Sequence, residues 1–196
     1  MFFNKLFLLI FSLIFISTSI IAADNYVADK AHTNIGFTVK HMVVTTVLGK
    51  FKDYEIDFVF DEKDLSKSSV KATIKTASIF TDNEDRDNHL RSADFFDAGN
   101  YPEITFISNA IMKKSERYVA KGILTIRGIS KEIELPFEIL GPVNDPYGYT
   151  KLGIDASLKI NRLDYGVNWN KTLDTGGVLV SNDVNIKLDV ELTKVK

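Results

Sequence analysis

The chain alternates apolar and polar residues with a period of two from Ile35 to Leu192, and one long polar stretch interrupts this pattern. Near the C-terminus the apolar positions are Val184, Ile186, Leu188, Val190 and Leu192, with Asn185, Lys187, Asp189 and Glu191 between them. Successive side chains of a strand point to opposite faces of its sheet, so the pattern buries one face and leaves the other in water. Such a sheet must be covered or closed on itself, and a closed sheet encloses a lumen.

The first 22 residues differ from the rest. Lys5 is their only charge, and an unbroken run of apolar and hydroxyl residues extends from Leu6 to Ile21 before small residues and the polar Asp24. This arrangement is typical of a secretory signal peptide cleaved near Ala22. The alternative is a transmembrane anchor, since the run is long, but the small residues at its end favour cleavage. We therefore predict a signal peptide over residues 1–22.

Residues 23–196 have the length of one domain, and we predict a single domain there. Without Lys5, 23 of the 24 Lys and Arg residues remain against 26 Asp and Glu, a net charge of −3. Because no basic stripe is present, nucleic acid is excluded as a partner. The chain has no cysteine. Stability must come from burial and strand pairing, and no lipid-modified cysteine can tether the mature form, so we expect it to be soluble.

Short connectors with turn-forming residues separate eight predicted strands, which favours antiparallel neighbours. The predicted strands are Thr33 to Met42, Lys50 to Phe60, Ser69 to Ile79, Glu103 to Met112, Arg117 to Arg127, Lys131 to Gly141, Tyr149 to Ile160 and Val180 to Lys194. The polar interruption from Thr81 to Asn100 has a capping residue at Asp82 or Asn83 and predicts a short helix. The fold class is thus all-β, an eight-stranded antiparallel barrel with one short helix.

The residues assigned to the inner face include several small ones. They are Ala72, Thr76, Ser78, Ser108, Ala110, Gly122 and Ala156. Eight strands give a barrel whose interior is either filled by side chains or holds one small ligand, and the pattern alone leaves both alternatives open. An open lumen would have an apolar lining and would suit a long hydrocarbon, because burial gains about 0.8 kcal/mol per methylene.

Several motifs, spread over nearly all of the predicted mature chain, carry a family resemblance. They include Tyr26-x-x-Asp29-x-x-His32-Thr33, Arg86-Asp87-x-His89-Leu90-Arg91-Ser92-x-Asp94-Phe95-Phe96-Asp97, Gly122-x-Leu124-Thr125-Ile126-Arg127-Gly128 and Asn161-Arg162-x-Asp164-Tyr165-Gly166-Val167. With them the chain resembles the YceI family of secreted lipid-binding proteins. The resemblance implies a lipocalin-like barrel with an apolar lumen that binds polyisoprenoids or related long-chain amphiphiles, commonly in the bacterial periplasm. Members differ in their ligand, so ligand identity does not transfer.

Two groups of residues are predicted to contact the ligand. Those expected in the lumen are Phe37, Val39, Ile56, Phe58, Ile74, Phe106, Leu124, Ile126, Ile154 and Leu158. Those expected at the mouth, near the ligand's head group, are Arg86, His89, Arg91, Asp94, Phe95, Phe96, Arg162 and Trp169. The polar residues of the helical segment have two interpretations. They either fix the segment to the barrel or form a lid that meets the ligand's polar end.

The three histidines do not predict a metal site. His32 and His41 differ in parity and would point to opposite faces of one regular strand, although a break near Gly36 would change this, and His89 has no histidine at helical spacing. No catalytic motif is present. We predict no metal, no catalytic residue and no cofactor other than a bound isoprenoid, quinone or fatty-acid derivative.

The sequence therefore favours a periplasmic, non-catalytic protein that sequesters, stores or carries a long-chain isoprenoid or fatty-acyl amphiphile. It leaves open whether two barrels form a homodimer, and it predicts no membrane span after signal cleavage. Two alternatives remain. One is an enzyme acting on such a lipid, with His89 and Asp94 as acid and base, and the other is a filled barrel that serves as a protein interaction module.

Overall fold

The computed structural model describes residues 23–172 and 177–196, so the predicted signal peptide lies outside the described residues. Eleven strands form one antiparallel sheet. They are β1 (Asp24–Ala28), β2 (Asn34–His41), β3 (Thr45–Phe51), β4 (Tyr54–Phe60), β5 (Ser69–Lys75), β6 (Ile79–Phe80), β7 (Glu103–Lys114), β8 (Arg117–Ile126), β9 (Ile129–Asn144), β10 (Thr150–Asn161) and β11 (Val180–Lys194). None of the helical segments in these ranges has the length and apolar character to cross a membrane.

Consecutive strands in the first part of the chain continue one another. β1 and β2 both pair with β11, β3 and β4 are separated only by Lys52 and Asp53, and β5 leads into β6 through a short 3-10 turn. Counted in this way the sheet has eight long strands. The ring β1–β4–β5–β7–β8–β9–β10–β11 closes because β1 pairs with both β4 and β11. The predicted eight-stranded antiparallel barrel with one short helix is confirmed.

The first strand begins earlier than predicted. Its expected start was Thr33, but β1 adds a segment that buries Tyr26 against the end of the barrel. Residues 29–33 then form a turn before β2 resumes the same pairing with β11. A five-residue strand presents too few alternating positions to stand out in the sequence, and its register is set by β4 and β11 on either side.

A β-bulge in β7 changes which small residues face inward. The register with β8 shifts between Ser108 and Ala110, so Ile111 is buried instead of its neighbours. The inward assignment of Ala110 was therefore wrong. Gly122 lies opposite the bulge, where a Cβ atom would approach the carbonyl oxygen of Ile107 to 2.4 Å. Gly122 is therefore small because the two backbones approach closely here, and it does not open space in the lumen. Of the seven small residues predicted to face inward, Ala72 and Ala156 line the cavity.

The helix α1 (Glu84–Arg91) and the segment after it lie at one end of the barrel. The side chain of Asn83 accepts a hydrogen bond from the backbone N–H of Arg86 and so caps the helix, as predicted for this position. Acidic residues occupy its first turn, which suits the positive end of the helix dipole. β6 ends at this same end, as do the turn from β2 to β3 and the end of β10.

Aromatic rings fill the opposite end. Phe58 and Phe137 are almost fully buried, and their ring centroids are 6.3 Å apart in an edge-to-face arrangement. Tyr26 packs against Phe58, and Phe60 and Tyr118 connect the two buried phenylalanines on their outer side. Aromatic pairs at these distances add to the free energy gained from burial. This aromatic cluster closes the barrel at the end away from α1.

The turn between β1 and β2 is held by a shared cation. The Lys151 ammonium on β10 lies 2.9 Å from Asp29 and 3.0 Å from Glu191 on β11, and its side chain is 15% exposed. His32 lies 3.4 Å from the same Asp29 carboxylate. Asp29, His32 and Glu191 are close enough to one another to form a metal-binding cluster. Lys151 already pairs with both carboxylates, so we assign the group as an ion-pair network that joins the turn to two strands.

We expect Lys151→Met to lower the unfolding free energy by about 1 kcal/mol at pH 7. The hydrogen bond from Lys151 holds the pKa of Asp29 at about 2, below its ordinary 3.8. Because the folded state prefers the ionised carboxylate, this stabilisation is present at neutral pH and is lost as the pH falls through about 4 towards 2. Urea unfolding of both proteins between pH 2 and pH 7 measures the difference, which should shrink over that window.

Lys187→Met is the matched control for this experiment. Lys187 lies on β11 in long, exposed ion pairs with Asp155 and Asp189. Its loss should change the unfolding free energy by less than about 0.5 kcal/mol. An equal effect of the two variants, or a difference for Lys151→Met that does not depend on pH, would contradict the assignment.

Candidate ligand-binding site

The barrel encloses a cavity of about 230 Å³ that extends from the aromatic cluster to the segment around α1. Its wall consists of inward side chains from the strands, and almost no polar atom reaches its surface. One water-sized group needs on the order of 10 to 15 Å³, so the cavity has room for roughly 15 to 23 groups of that size. An apolar cavity of this kind suits hydrocarbon and offers almost no hydrogen-bond partner to a polar metabolite.

The structure places all ten residues predicted for the lumen on the cavity wall. They are Phe37, Val39, Ile56, Phe58, Ile74, Phe106, Leu124, Ile126, Ile154 and Leu158. The alternation of inward and outward positions was enough to find them, because the closed sheet keeps one parity on the inside. Contact between these residues and a ligand stays a prediction.

The polar residues around α1 attach the helix to the barrel. Asp87 is 3% exposed and accepts hydrogen bonds from the backbone N–H and the hydroxyl of Thr81, at 2.8 and 2.6 Å. Arg86 donates to the hydroxyl and the carbonyl of Thr81 at 2.7 Å each. Arg91 donates to the carbonyls of Ala77 and Ile79. Arg86 and Arg91 therefore serve to fix the segment in place and do not line the cavity.

The apolar residues of the same segment face the lumen. Leu90, Phe95 and Phe96 all line the cavity, and Phe95 is 6% exposed. The ring of Phe96 meets Phe51 of β3 edge to face, with centroids 6.0 Å apart. The polar side chains thus fasten the segment to the barrel, and its phenylalanines cover the open end. Contact between its polar residues and the polar end of a ligand stays a prediction.

A second group of aromatic side chains lies on the solvent side of the segment that contains Phe95 and Phe96. The His89 ring contacts Phe95 and Trp169 edge to face at centroid distances of 5.0 and 4.8 Å. Its Nε2 atom lies 2.9 Å from the Asp94 carboxylate, and both side chains are about half exposed. Neither His89, Asp94 nor Trp169 lines the cavity, so they border the mouth from outside.

Arg162 occupies a different environment from the other predicted mouth residues. It follows β10 in a 3-10 turn, is 5% exposed and contributes to the cavity wall. Its guanidinium donates to the carbonyls of Val167, Trp169 and Ser181, and more weakly to that of Val180. Burial lowers the pKa of Arg162 below its usual range. Because these acceptors use most of its N–H groups, Arg162 organises the mouth more than it presents charge to the lumen.

Arg127 has a related role that the sequence interpretation missed. It lies in the turn from β8 to β9 and donates to the carbonyl of Ala93, 2.8 Å away, and to that of Gly166. It therefore ties the segment after α1 to the loop after β10. Tyr165 and Val167 of that loop also line the cavity without having been predicted. The acceptors of Arg127 are backbone carbonyls, which every residue has. The sequence therefore contains no partner side chain from which this role could be predicted.

The closed antiparallel barrel and its carbon-lined cavity define a class of small β-barrel proteins that enclose apolar ligands. Sequence comparison assigns the chain within it. The YceI-like domain matches residues 26–192, and the chain belongs to the YceI family. The resemblance seen in the sequence motifs is confirmed.

Individual relatives agree with this assignment. The UPF0312 protein of Serratia proteamaculans is 38% identical over 180 residues, which cover 91% of this chain and 90% of that protein. The crystal structure of the Campylobacter jejuni YCEI protein is 38% identical, with a TM-score of 0.69 over 86% of this chain and 96% of that chain. A polyisoprenoid binding domain from Saccharophagus degradans shares the fold at 13% identity, with a TM-score of 0.62 over 87% and 98% of the two chains.

Arg162→Met should loosen the mouth. The substitution leaves several carbonyls without a donor, and we expect the unfolding free energy to fall by about 2 to 3 kcal/mol. Amides around Trp169 and Ser181 should exchange hydrogen faster, and the Trp169 fluorescence should shift to longer wavelength. Arg117→Met, which removes an exposed ion pair with Glu138, is the control and should change stability by less than about 0.5 kcal/mol. Equal stability of the two variants would exclude this role.

Proposed function

We propose that this protein binds one long-chain amphiphile, with an isoprenoid or fatty-acyl chain, inside its barrel and thereby keeps the chain out of water. The observation that supports this most directly is the cavity wall, where nearly every exposed atom is carbon. Each buried methylene gains about 0.8 kcal/mol, while association costs roughly 4 to 15 kcal/mol, so tight binding needs a long chain. Family membership and the polyisoprenoid binding domain of similar fold support the same class of ligand.

The polar end of the ligand belongs at the mouth in this proposal. The lumen offers it no partner, whereas His89 and Asp94 are half exposed beside Phe95 and Trp169. The N–H groups of Arg86, Arg91 and Arg162 are largely engaged by the protein itself. A head group that accepts or donates hydrogen bonds at the rim would therefore meet His89 and Asp94 before it met the arginines.

We further propose that the protein acts by reversible burial, without making or breaking a bond, in the periplasm. The predicted signal peptide supports the location. The carbon-lined wall supports the absence of chemistry because almost no polar atom of its lining residues, Arg162 and Tyr165 included, reaches the cavity surface. The His89–Asp94 pair lies outside the cavity, facing the rim. Burial of the chain in the lumen is compatible with both storage and transport of the lipid.

Native mass spectrometry of the protein purified from its own envelope tests the proposal, followed by solvent extraction and mass identification of whatever is released. The expected result is a stoichiometric long-chain species that leaves intact, with its mass unchanged after incubation with the protein. An empty protein that also fails to bind added isoprenoid quinones and fatty amides would contradict it and favour the interaction-module alternative. Conversion of the lipid that is abolished by His89→Ala would favour the enzyme alternative.

Ala72→Phe should weaken binding without abolishing the fold. Ala72 lines the cavity on β5, and a phenyl ring there takes space from the chain. Displacing two methylenes removes about 1.6 kcal/mol, so we expect at least about a tenfold loss of affinity in a titration with a fluorescent fatty acid. Thr73→Phe places the same ring on the outer face of the same strand and should leave affinity unchanged. Equal affinities for the two variants would place the ligand elsewhere.

A further inference from the structure

The phenyl groups of Phe58 and Phe137 close the inner end of the cavity, and we call these two residues the lumen floor. β4 and β9 are four places apart in the closed ring of eight strands, so their inward side chains face each other across the barrel. Phe58 on β4 and Phe137 on β9 meet edge to face, with ring centroids 6.3 Å apart. Both are buried and line the cavity. The lumen floor therefore spans the barrel from opposite walls.

Further side chains fill the barrel behind the lumen floor. Tyr26, Ile111 and Leu152 are each at most 5% exposed, and none of the three lines the cavity. Their strand partners do line it, so all three side chains face inward. The ring of Tyr118 stacks on that of Phe137, with centroids 5.5 Å apart. A longer chain could pass the lumen floor only by displacing this packed layer, which is costly in a close-packed interior.

The depth of the cavity limits how much of a chain can be buried. Almost all of the cavity surface is carbon, so each methylene that enters should gain a similar free energy, equivalent to about a fourfold gain in affinity. The gain ends where the chain reaches the lumen floor, because a further methylene finds no apolar space and stays at the mouth. A lumen of fixed depth therefore favours longer chains only up to a limiting length.

One small residue lies directly beside the lumen floor. Ala156 on β10 is the register partner of Phe137, is buried and lines the cavity. A larger side chain at this position would extend into the inner end of the lumen, whereas a smaller one at Phe137 would deepen it. The two positions thus allow the depth of the cavity to be changed in opposite directions.

We propose that the lumen floor sets the longest chain that the barrel can bury and thereby selects the ligand by chain length. Phe58 and Phe137 are then specificity-determining residues, and Ala156 keeps the space beside them free. The inference rests on the proposed function, since it requires a chain in the lumen. It adds that affinity follows the length of the apolar chain up to a limit that these residues fix.

A series of fatty acids of increasing length tests the proposal. Purified protein, freed of bound lipid by extraction, is titrated with a fluorescent fatty acid that is then displaced by saturated fatty acids of about 12 to about 24 carbons, a range chosen around the capacity of the cavity. A parallel series of isoprenoid alcohols covers the other type of chain. In the wild type, affinity should rise about fourfold per added methylene and then level off at the limiting length.

Two variants should move the limit in opposite directions. Phe137→Ala deepens the lumen, because the surrounding structure closes such a space only in part, and should raise the limit by at least about two carbons. A fatty acid that much longer than the wild-type limit should then bind this variant at least about tenfold tighter than the chain at that limit. Ala156→Leu should lower the limit. Since it fills space instead of emptying it, Ala156→Leu keeps the test decisive even if Phe137→Ala does not fold.

Phe37→Ala is the matched control. Phe37 also lines the cavity, but its ring contacts Phe51, which in turn meets Phe96 of the segment that covers the mouth. The variant removes the same phenyl group near the mouth, so it should change the affinity for every chain and leave the limiting length unchanged.

The outcomes separate the selection by length from the binding itself. Chains that bind all the proteins with one unchanged limiting length would overturn the selection and leave the proposed function intact. So would an affinity that rises over the whole series in the wild type, or an equal shift in Phe137→Ala and Phe37→Ala, since total volume would then set the limit. A wild type that binds neither series would contradict the proposed function and this inference together.

Discussion

The shared pairing of β11 with β1 and β2 is the constraint on which the rest of this structure depends. β11 pairs with β2 along one part of its length and with β1 near its end, and β1 pairs with β4 on its other side. This closes the sheet, so the backbone hydrogen bonds run around the ring and few strand edges remain. Once the ring is closed, parity alone decides which side chains enter the interior, and the apolar cavity follows.

The two ends of the barrel are built by different physical means. At one end, aromatic rings around Phe58 and Phe137 fill the space by packing. At the other, apolar side chains such as Phe95 and Val167 also face inward, but the short segments that carry them are held by Arg91, Arg127 and Arg162, which donate to backbone carbonyls. Packing closes the first end with buried rings. Hydrogen bonds at a half-exposed rim hold pieces that can open separately, which suits an entrance.

Sequence alone predicted the parts of the fold that depend on periodicity. Long alternating segments such as β10 and β11 were found with nearly correct bounds, and the ten lumen residues followed from parity. What could not be predicted depends on backbone geometry. The bulge near Asn109 reversed which residues of β7 face inward after it. The roles of Arg127 and Arg162 were not predictable because their acceptors are backbone carbonyls, which do not depend on residue type. The start of β3 at Thr45 was missed as well, because the predicted strand began only at Lys50 and left residues 43–49 in a connector.

The aromatic cluster around Phe58 and Phe137 has a consequence for the order of events during ligand exchange. For the proposed ligand, whose polar end stays at the mouth, a barrel closed at one end admits the chain only tail first, so the tail would be the first part to enter and the last to leave. Threading from one side to the other is excluded, and a second chain cannot push the first one out from behind. Exchange of one bound chain for another would therefore require either an empty barrel as an intermediate or two chains at the mouth together. The mouth would set the rate of exchange in both cases.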